Sequence, residues 1–240
     1  VRVHGARRYG FLVVGRIAQQ EPDERRQDSD IGITAGLIAA LAENLDSAAE
    51  IIDAAGLLVM PGGVDSHVHL AQPGAPGIVM VDDFHTGTCS AAIGGNTTVL
   101  PLCLQQKGQT LREALTAYQA LAVGQCHTDL AFHLIVTDPT PQVLGQELPA
   151  LIAEGYTSIK IFMTYENMKL ADREILEVLD VARRHRALVM VHAEGYDAIR
   201  FLIDRLERDG KTAPFFHGPS RPHPGRARGD PSCHQFRRDR

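Results

Sequence analysis

Two rhythms of apolar and polar positions divide the chain. Up to about Ile52, short apolar runs alternate with polar turns. Phe11–Val14, Asp30–Thr34 and Leu37–Leu41 predict strands, with Gly36 marking a hairpin between the last two. Such a small β unit needs partner strands to close a core. From Leu57 the rhythm changes. Strands are predicted near 64–69, 97–102, 130–136, 158–162 and 188–192, separated by helical patterns over 83–93, 111–123, 141–154, 172–185 and 197–209. Leu111, Leu115, Tyr118 and Ala122 fall on one face of the second helix. Pro141 opens the third, Asp172 is read as a cap, and Gly210 closes the last.

Five short strands alternating with helices indicate β-α units on a parallel sheet. A doubly wound sheet and a (β/α)8 barrel both fit this alternation, and periodicity does not choose between them. The domain reading is a β unit over 1–56, a β/α unit over 57–222, and a terminal stretch, 223–240, with no hydrophobic period.

Composition narrows the classes. With 240 residues, 44% hydrophobic and a net charge of −5, the chain can bury a sizeable core and is not disordered throughout. A pI near 6.1 argues against a dedicated nucleic-acid binder. Cys89, Cys103, Cys126 and Cys233 form no C-x-x-C pair, so neither a disulfide framework nor a thiolate zinc site is expected, and the default is a reducing compartment. No apolar run approaches the ~20 residues of a membrane span. The opening Val1–Val14 stretch mimics a basic leader, but its apolar patch is too short and runs into charged Glu21–Arg26. A cytoplasmic protein with no membrane or nucleic-acid partner is the expectation. Arg supplies 20 of the 24 basic residues, and six Arg crowd the last 20 positions.

Three strand ends carry candidate chemistry. In Pro61-Gly62-Gly63-Val64-Asp65-Ser66-His67-Val68-His69-Leu70, His67 and His69 stand two apart on a strand, so both rings face one way and could grip one metal ion. The bland alternative is two polar residues on a solvated face. In Ser158–Tyr165, Lys160 interrupts an apolar strand; burial would lower its pKa, and a neutral amine can add CO2 to become a carbamate ligand. The alternative is a lysine whose long stem reaches solvent. His192 ends a third apolar strand, where a lone histidine is more often a satisfied rim residue. Strand C-termini of a parallel barrel share one face, where active sites are built. The convergence of all three carries more weight than any one.

With these residues in view, the segment from about Phe11 to Pro222 resembles the cyclic amidohydrolases, and within them the dihydropyrimidinase/D-hydantoinase group. The resemblance rests on the Pro61–His69 string, Asp82–Thr88, Gly94–Thr98, the Lys160–Tyr165 string and the His192 strand. It implies a (β/α)8 TIM-barrel fold flanked by a small β-sandwich built from both chain ends. It further implies a two-zinc site, with His67 and His69 on one Zn2+, His192 on the other, and carbamylated Lys160 bridging. A zinc-bridging hydroxide would attack the ring amide, and Tyr165 would steady the developing oxyanion and contact substrate. The bland reading of Tyr165 is a barrel-rim aromatic. The implied substrate is a small neutral cyclic ureide or amide, a dihydropyrimidine or a 5-substituted hydantoin, and the implied assembly a homotetramer. Dihydroorotases carry an arginine two residues after H-x-H to hold a substrate carboxylate; here that position is Ala71, so an anion loses its clamp. The Ala75–Val81 loop would then supply an apolar lid. Allantoin is the alternative substrate.

The chain also departs from the family. A further zinc histidine at the end of strand six and a catalytic aspartate at the end of strand eight have no counterpart among the five strands. His217, His223 and His234 end no apolar strand and are rejected as stand-ins. Pro101-Leu102 replaces the usual Asp and apolar pair. The family pattern stops at Pro214–Pro222, where the Arg, Pro and Gly run begins. One hypothesis is out-of-frame translation of a GC-rich gene; the other is a disordered basic tail. The gene's other two frames decide, because the first hypothesis requires an apolar run ending in His there. The alternative to an enzyme is an inactive truncated chain or a non-enzymatic interaction homologue, although relatives of that kind typically lack the four ligands kept here.

Overall fold

The computed structural model describes residues 9–17, 27–45, 48–74 and 77–221, and the chain divides into two compact units, Val1–Gly62 and Gly63–Arg240. The leader-like first residues and the Arg-rich 223–240 stretch lie outside the described residues.

The first unit is a four-stranded sheet in the order β3-β2-β1-β4, built from β1 (Tyr9–Ile17), β2 (Gln27–Thr34), β3 (Leu37–Ala42) and β4 (Ala48–Val59). β2 is antiparallel to β1 and β3, whereas β4 runs parallel to β1. The β2–β3 hairpin turns at Ala35 and Gly36, both with positive φ (52° and 76°), the tight turn whose twist suits paired strands.

The second unit is a curled parallel sheet in the order β10-β9-β8-β6-β5. Its strands are β5 (Gly63–Val68), β6 (Asn96–Leu104), β8 (His133–Ile135), β9 (Ser158–Phe162) and β10 (Leu188–His192), with the short β7 (Asp129–Leu130) also on β6. Helices α1 (Phe84–Ile93), α2 (Leu111–Ala122), α3 (Leu148–Ala153), α4 (Asp172–His185) and α5 (Tyr196–Arg208) alternate with them, which makes this the half-barrel expected of a partial (β/α)8 fold.

Where the pattern read from sequence and the structure part, backbone chemistry explains the difference. The strand predicted over 130–136 is split because the next rung after Val99 would need an N–H from residue 101, which is proline; Ala131 N–H still reaches the Val99 carbonyl (3.2 Å). The helix predicted over 141–154 contains a π-helical turn, Val143–Glu147. Pro149 cannot donate to the Gly145 carbonyl and its ring crowds it, so the turn before it widens. Asp172 is not the cap of α4. Ala171 takes that position and its N–H donates to the Glu174 carboxylate at 2.6 Å, leaving Asp172 in the first turn, where a negative charge suits the helix dipole. α1 and α2 start with reciprocal caps, Asp83 with Thr86 and Thr110 with Glu113.

Period two sorts each strand between two layers. Val99, Cys103, Leu134, Ile159 and Ile161 point outward and pack with Leu111, Leu115, Leu148, Leu151 and Val178 of the helices. Leu102, Ile135 and Phe162 point into the concave side, joined by Leu104, Met168 and Met190. The same parity delivers Lys160 and His192 to that concave layer.

Candidate functional site

His67 and His69 straddle the C-terminal end of β5 with ring centroids 5.4 Å apart, as their spacing predicts. Each is set by its surroundings. The Gln72 amide donates to the Leu102 carbonyl, which turns its Oε1 to His69, where it accepts from Nδ1 at 2.6 Å. With Nδ1 protonated, the neutral His69 ring presents the lone pair of Nε2. His67 is held below the ordinary histidine range, first by partial burial, then by the charge of Lys160, with smaller contributions from His69 and His133; Asp65 opposes them. The backbone after the pair is pinned from α2: Tyr118 donates its phenol to the Leu70 carbonyl at 2.5 Å. Burial pushes that phenol upward, so it remains a donor.

Lys160 lies mid-strand in β9, 6% exposed, with Nζ 5.2 Å from the centre of the Phe162 ring. Among the described residues no carboxylate pairs with it, and burial lowers its pKa. Phe162 is stacked on His192 at 5.6 Å, and Tyr165 meets His192 edge-on at 5.1 Å. Nε2 of His192 donates to Glu194 at 2.7 Å, so in the neutral ring Nδ1 carries the free lone pair. Glu194 is in turn faced by Arg221 at 3.9 Å. Lys160, Tyr165, His192, Glu194, His217 and Arg221 line one groove of about 470 Å3.

Tyr165 has φ +67°, a left-handed conformation costly for an aromatic residue. Its carbonyl is held there by two N–H groups, those of Met168 (2.9 Å) and Lys169 (2.8 Å). The Lys169 ammonium sits 3.4 Å from the centre of the Tyr196 ring, tying the loop after β9 to the start of α5.

The donor set suits a divalent cation. His69 and His192 each have one ring nitrogen bonded and the other free, His67 favours its neutral form, and the buried amine of Lys160 is the cheaper to deprotonate for being desolvated. Lys160 is close enough to His67 to act on its charge, whereas no contact joins His192 to either histidine of β5. Among the described residues no three His, Cys, Asp or Glu side chains form a metal cluster. His217 lies in a single 3-10 turn, with Nδ1 3.1 Å from Arg221, and not at a strand end. Ile78, Val79 and Val81 of the expected lid are exposed, while residues 75 and 76 lie outside the described set. Gln72 and Glu194, which orient the His69 and His192 rings, went unassigned in the sequence. Their signal was a carbonyl-bearing or carboxylate side chain two or three residues past a strand-end histidine.

Comparison with known proteins gives the family of the chain. The model of the family described as "Amidohydrolase family" matches residues 58–217. A D-hydantoinase of Geobacillus stearothermophilus is 44% identical over 198 residues, covering 81% of this chain and 42% of that protein. A D-hydantoinase of Rhizobium radiobacter is 42% identical over 195 residues, again 81% of the chain and 42% of the relative. A solved D-hydantoinase structure superposes with a TM-score of 0.84 at 38% identity, covering 90% of this chain and 47% of that one. The chain thus spans less than half the length of the relatives it matches. No helix among the described residues is long and apolar enough to cross a membrane.

Proposed function

The chain belongs to the amidohydrolase family, and from that premise we propose that it carries the first part of a metal centre that opens cyclic amides, with dihydropyrimidines or 5-substituted hydantoins as substrates. One observation supports this reading: β5, β9 and β10 of one parallel sheet carry His67 and His69, Lys160 and His192, with Tyr165 in the loop after β9, and His69 and His192 each keep one ring nitrogen free. The similarity to D-hydantoinases supplies the substrate class.

In this reading His67 and His69 hold one zinc ion. His192 holds a second, through the ring nitrogen that Glu194 leaves free. Bound zinc supplies Lewis acidity toward a carbonyl oxygen and lowers the pKa of water. The other contributions are the chain's own. The Lys160 amine, once neutral, adds its lone pair to CO2 and releases a proton, giving a carbamate with two oxygens for ligation. Tyr165, fixed by its carbonyl contacts, offers its phenol O–H to the oxygen that gains charge as the ring amide is attacked. The Phe162 face and the Leu102, Ile135 and Met190 layer below exclude water from the amine.

A second reading concerns this chain alone. In it His67, His69, Lys160 and His192 bind metal without turnover, because the reading assigns no aspartate among the described residues to move the proton of the attacking water. Metal analysis of the purified chain beside a full-length D-hydantoinase, with dihydrouracil and hydantoin as substrates, tests both readings. About one zinc per chain, lost in His67→Ala, is expected without hydrolysis. A chain that takes up no zinc would refute the metal centre. Two zinc ions with turnover would refute the inactive reading.

A further inference from the structure

The ladder between β5 and β6 is interrupted where the histidine pair begins. Asp65 pairs with Val99 and Val68 with Pro101, so three steps along β5 match two along β6. This is a β-bulge at Ser66 and His67, a device that releases one residue from the ladder and re-aims its neighbours. The Ser66 carbonyl, turned out of the ladder, needs a donor from elsewhere.

The donor comes from β8. His133 is 3% exposed, and its Nε2 lies 2.8 Å from the Ser66 oxygen. A carbonyl only accepts, so Nε2 carries the proton. Nδ1 then accepts from the Ser158 hydroxyl, two residues before Lys160 on β9. One buried imidazole therefore joins the strand bearing His67 and His69 to the strand bearing Lys160. β5 and β9 share no ladder hydrogen bond, since β6 and β8 lie between them.

We propose that His133 is a positioning residue: by capping the bulge carbonyl and tying it to Ser158, it fixes the direction of His67 and the distance from the histidine pair to Lys160. The role in metal binding rests on the reading above, but the role in fixing His67 does not. His133 has no free nitrogen to contribute as a ligand, so its effect is on geometry.

The test uses the full chain with three substitutions. His133→Leu removes both bonds; His133→Asn keeps a polar group but is too short to reach Ser66; His133→Gln returns an N–H at the position of Nε2. Circular dichroism and urea midpoints establish which variants fold. Ring nitrogen and proton spectra of His67 and His69 are recorded without metal, and zinc affinity is measured by competition with a chelator. The expected result is displaced His67 ring signals in the folded Leu or Asn variant, both near wild type in the Gln variant. Zinc affinity should fall about 10- to 100-fold in the first two and recover in the third. Unchanged ring signals in either folded variant lacking the donor would overturn the proposal, as would a Gln variant no better than Asn. If the wild-type chain takes up no zinc, the metal reading fails alone, and the metal-free spectra still decide the role of His133.

Discussion

Replacing Tyr118 by Phe removes one oxygen and little else. The ring stays between Phe84, at 5.1 Å, and Phe132, at 5.6 Å, both edge-on, and no apolar contact is lost. What disappears is the 2.5 Å bond to the carbonyl of Leu70, itself only 2% exposed. A neutral hydrogen bond is worth about 1 kcal/mol net, and a buried acceptor left without its donor costs about 1–3 kcal/mol, so the variant should lose about 2 kcal/mol. For a chain of this size that corresponds to about 4–8 °C in Tm. Urea unfolding followed by far-ultraviolet circular dichroism measures it, with an unchanged m-value as the sign that only stability has moved. Tyr156→Phe is the control. Its hydroxyl accepts from Gln119 at 2.7 Å in a half-buried setting, where water can replace the bond and the loss should stay below about 1 kcal/mol. Because Leu70 follows His69, a slackened anchor should also weaken zinc uptake at the histidine pair. A Tyr118→Phe protein as stable as wild type would show that the Leu70 carbonyl is satisfied in another way and that Tyr118 does not pin the backbone after His69.

Lys160→Met should stabilise the metal-free protein at neutral pH, since a desolvated amine without a carboxylate partner gives way to an apolar chain of similar length. The folded pKa lies below the ordinary 10.5, so the unfolded chain holds more protons between the two values and wild-type stability rises with pH across that window. The advantage of Met is therefore largest below the folded pKa and shrinks toward pH 10.5, which urea midpoints over a pH series in CO2-free buffer will follow; a constant difference would contradict it. Arg186 closes α4 in the left-handed region at φ +57°, where glycine is preferred, so Arg186→Gly should raise stability by about 0.5–1 kcal/mol, and a fall in the thermal midpoint would count against that reading.

Much of this was legible in the chain because the informative residues interrupt otherwise regular patterns. Lys160 stands out in Ser158–Phe162, and His192 ends a run of apolar residues, so both could be assigned to strand positions before any fold was known. β4 was not legible. Ala48–Val59 mixes alanine, acidic residues and a positive-φ Gly56, and shows neither a period of two nor a continuous apolar run. His133 was equally hidden. Within Leu130–Val136 it looks like one polar residue in a strand, and its partners are a backbone carbonyl released by a bulge and a serine on a strand not adjacent to β5. Hydrogen bonds to the main chain leave no trace in residue type, and the bulge exists only through the register of two strands. Pro149 did carry a usable sign of the π-helical turn, since a proline at that depth in a helix must disturb the turn before it.

The alternation of inward and outward side chains along β9 makes the site tolerant of one kind of genetic change and fragile to another. Substitutions on the outward positions, Ile159 and Ile161, exchange one packing volume for another and leave the chemistry where it is. Loss or gain of a single codon before Lys160 within the strand would turn the amine toward the helices and bring an isoleucine to face the histidines, unless a compensating bulge restored the phase. Descendants of this chain should therefore vary freely in residue type along β9 but keep its length. Insertions should be excluded as well from the turn between Tyr165 and Leu170, whose N–H groups hold the Tyr165 and Phe162 carbonyls.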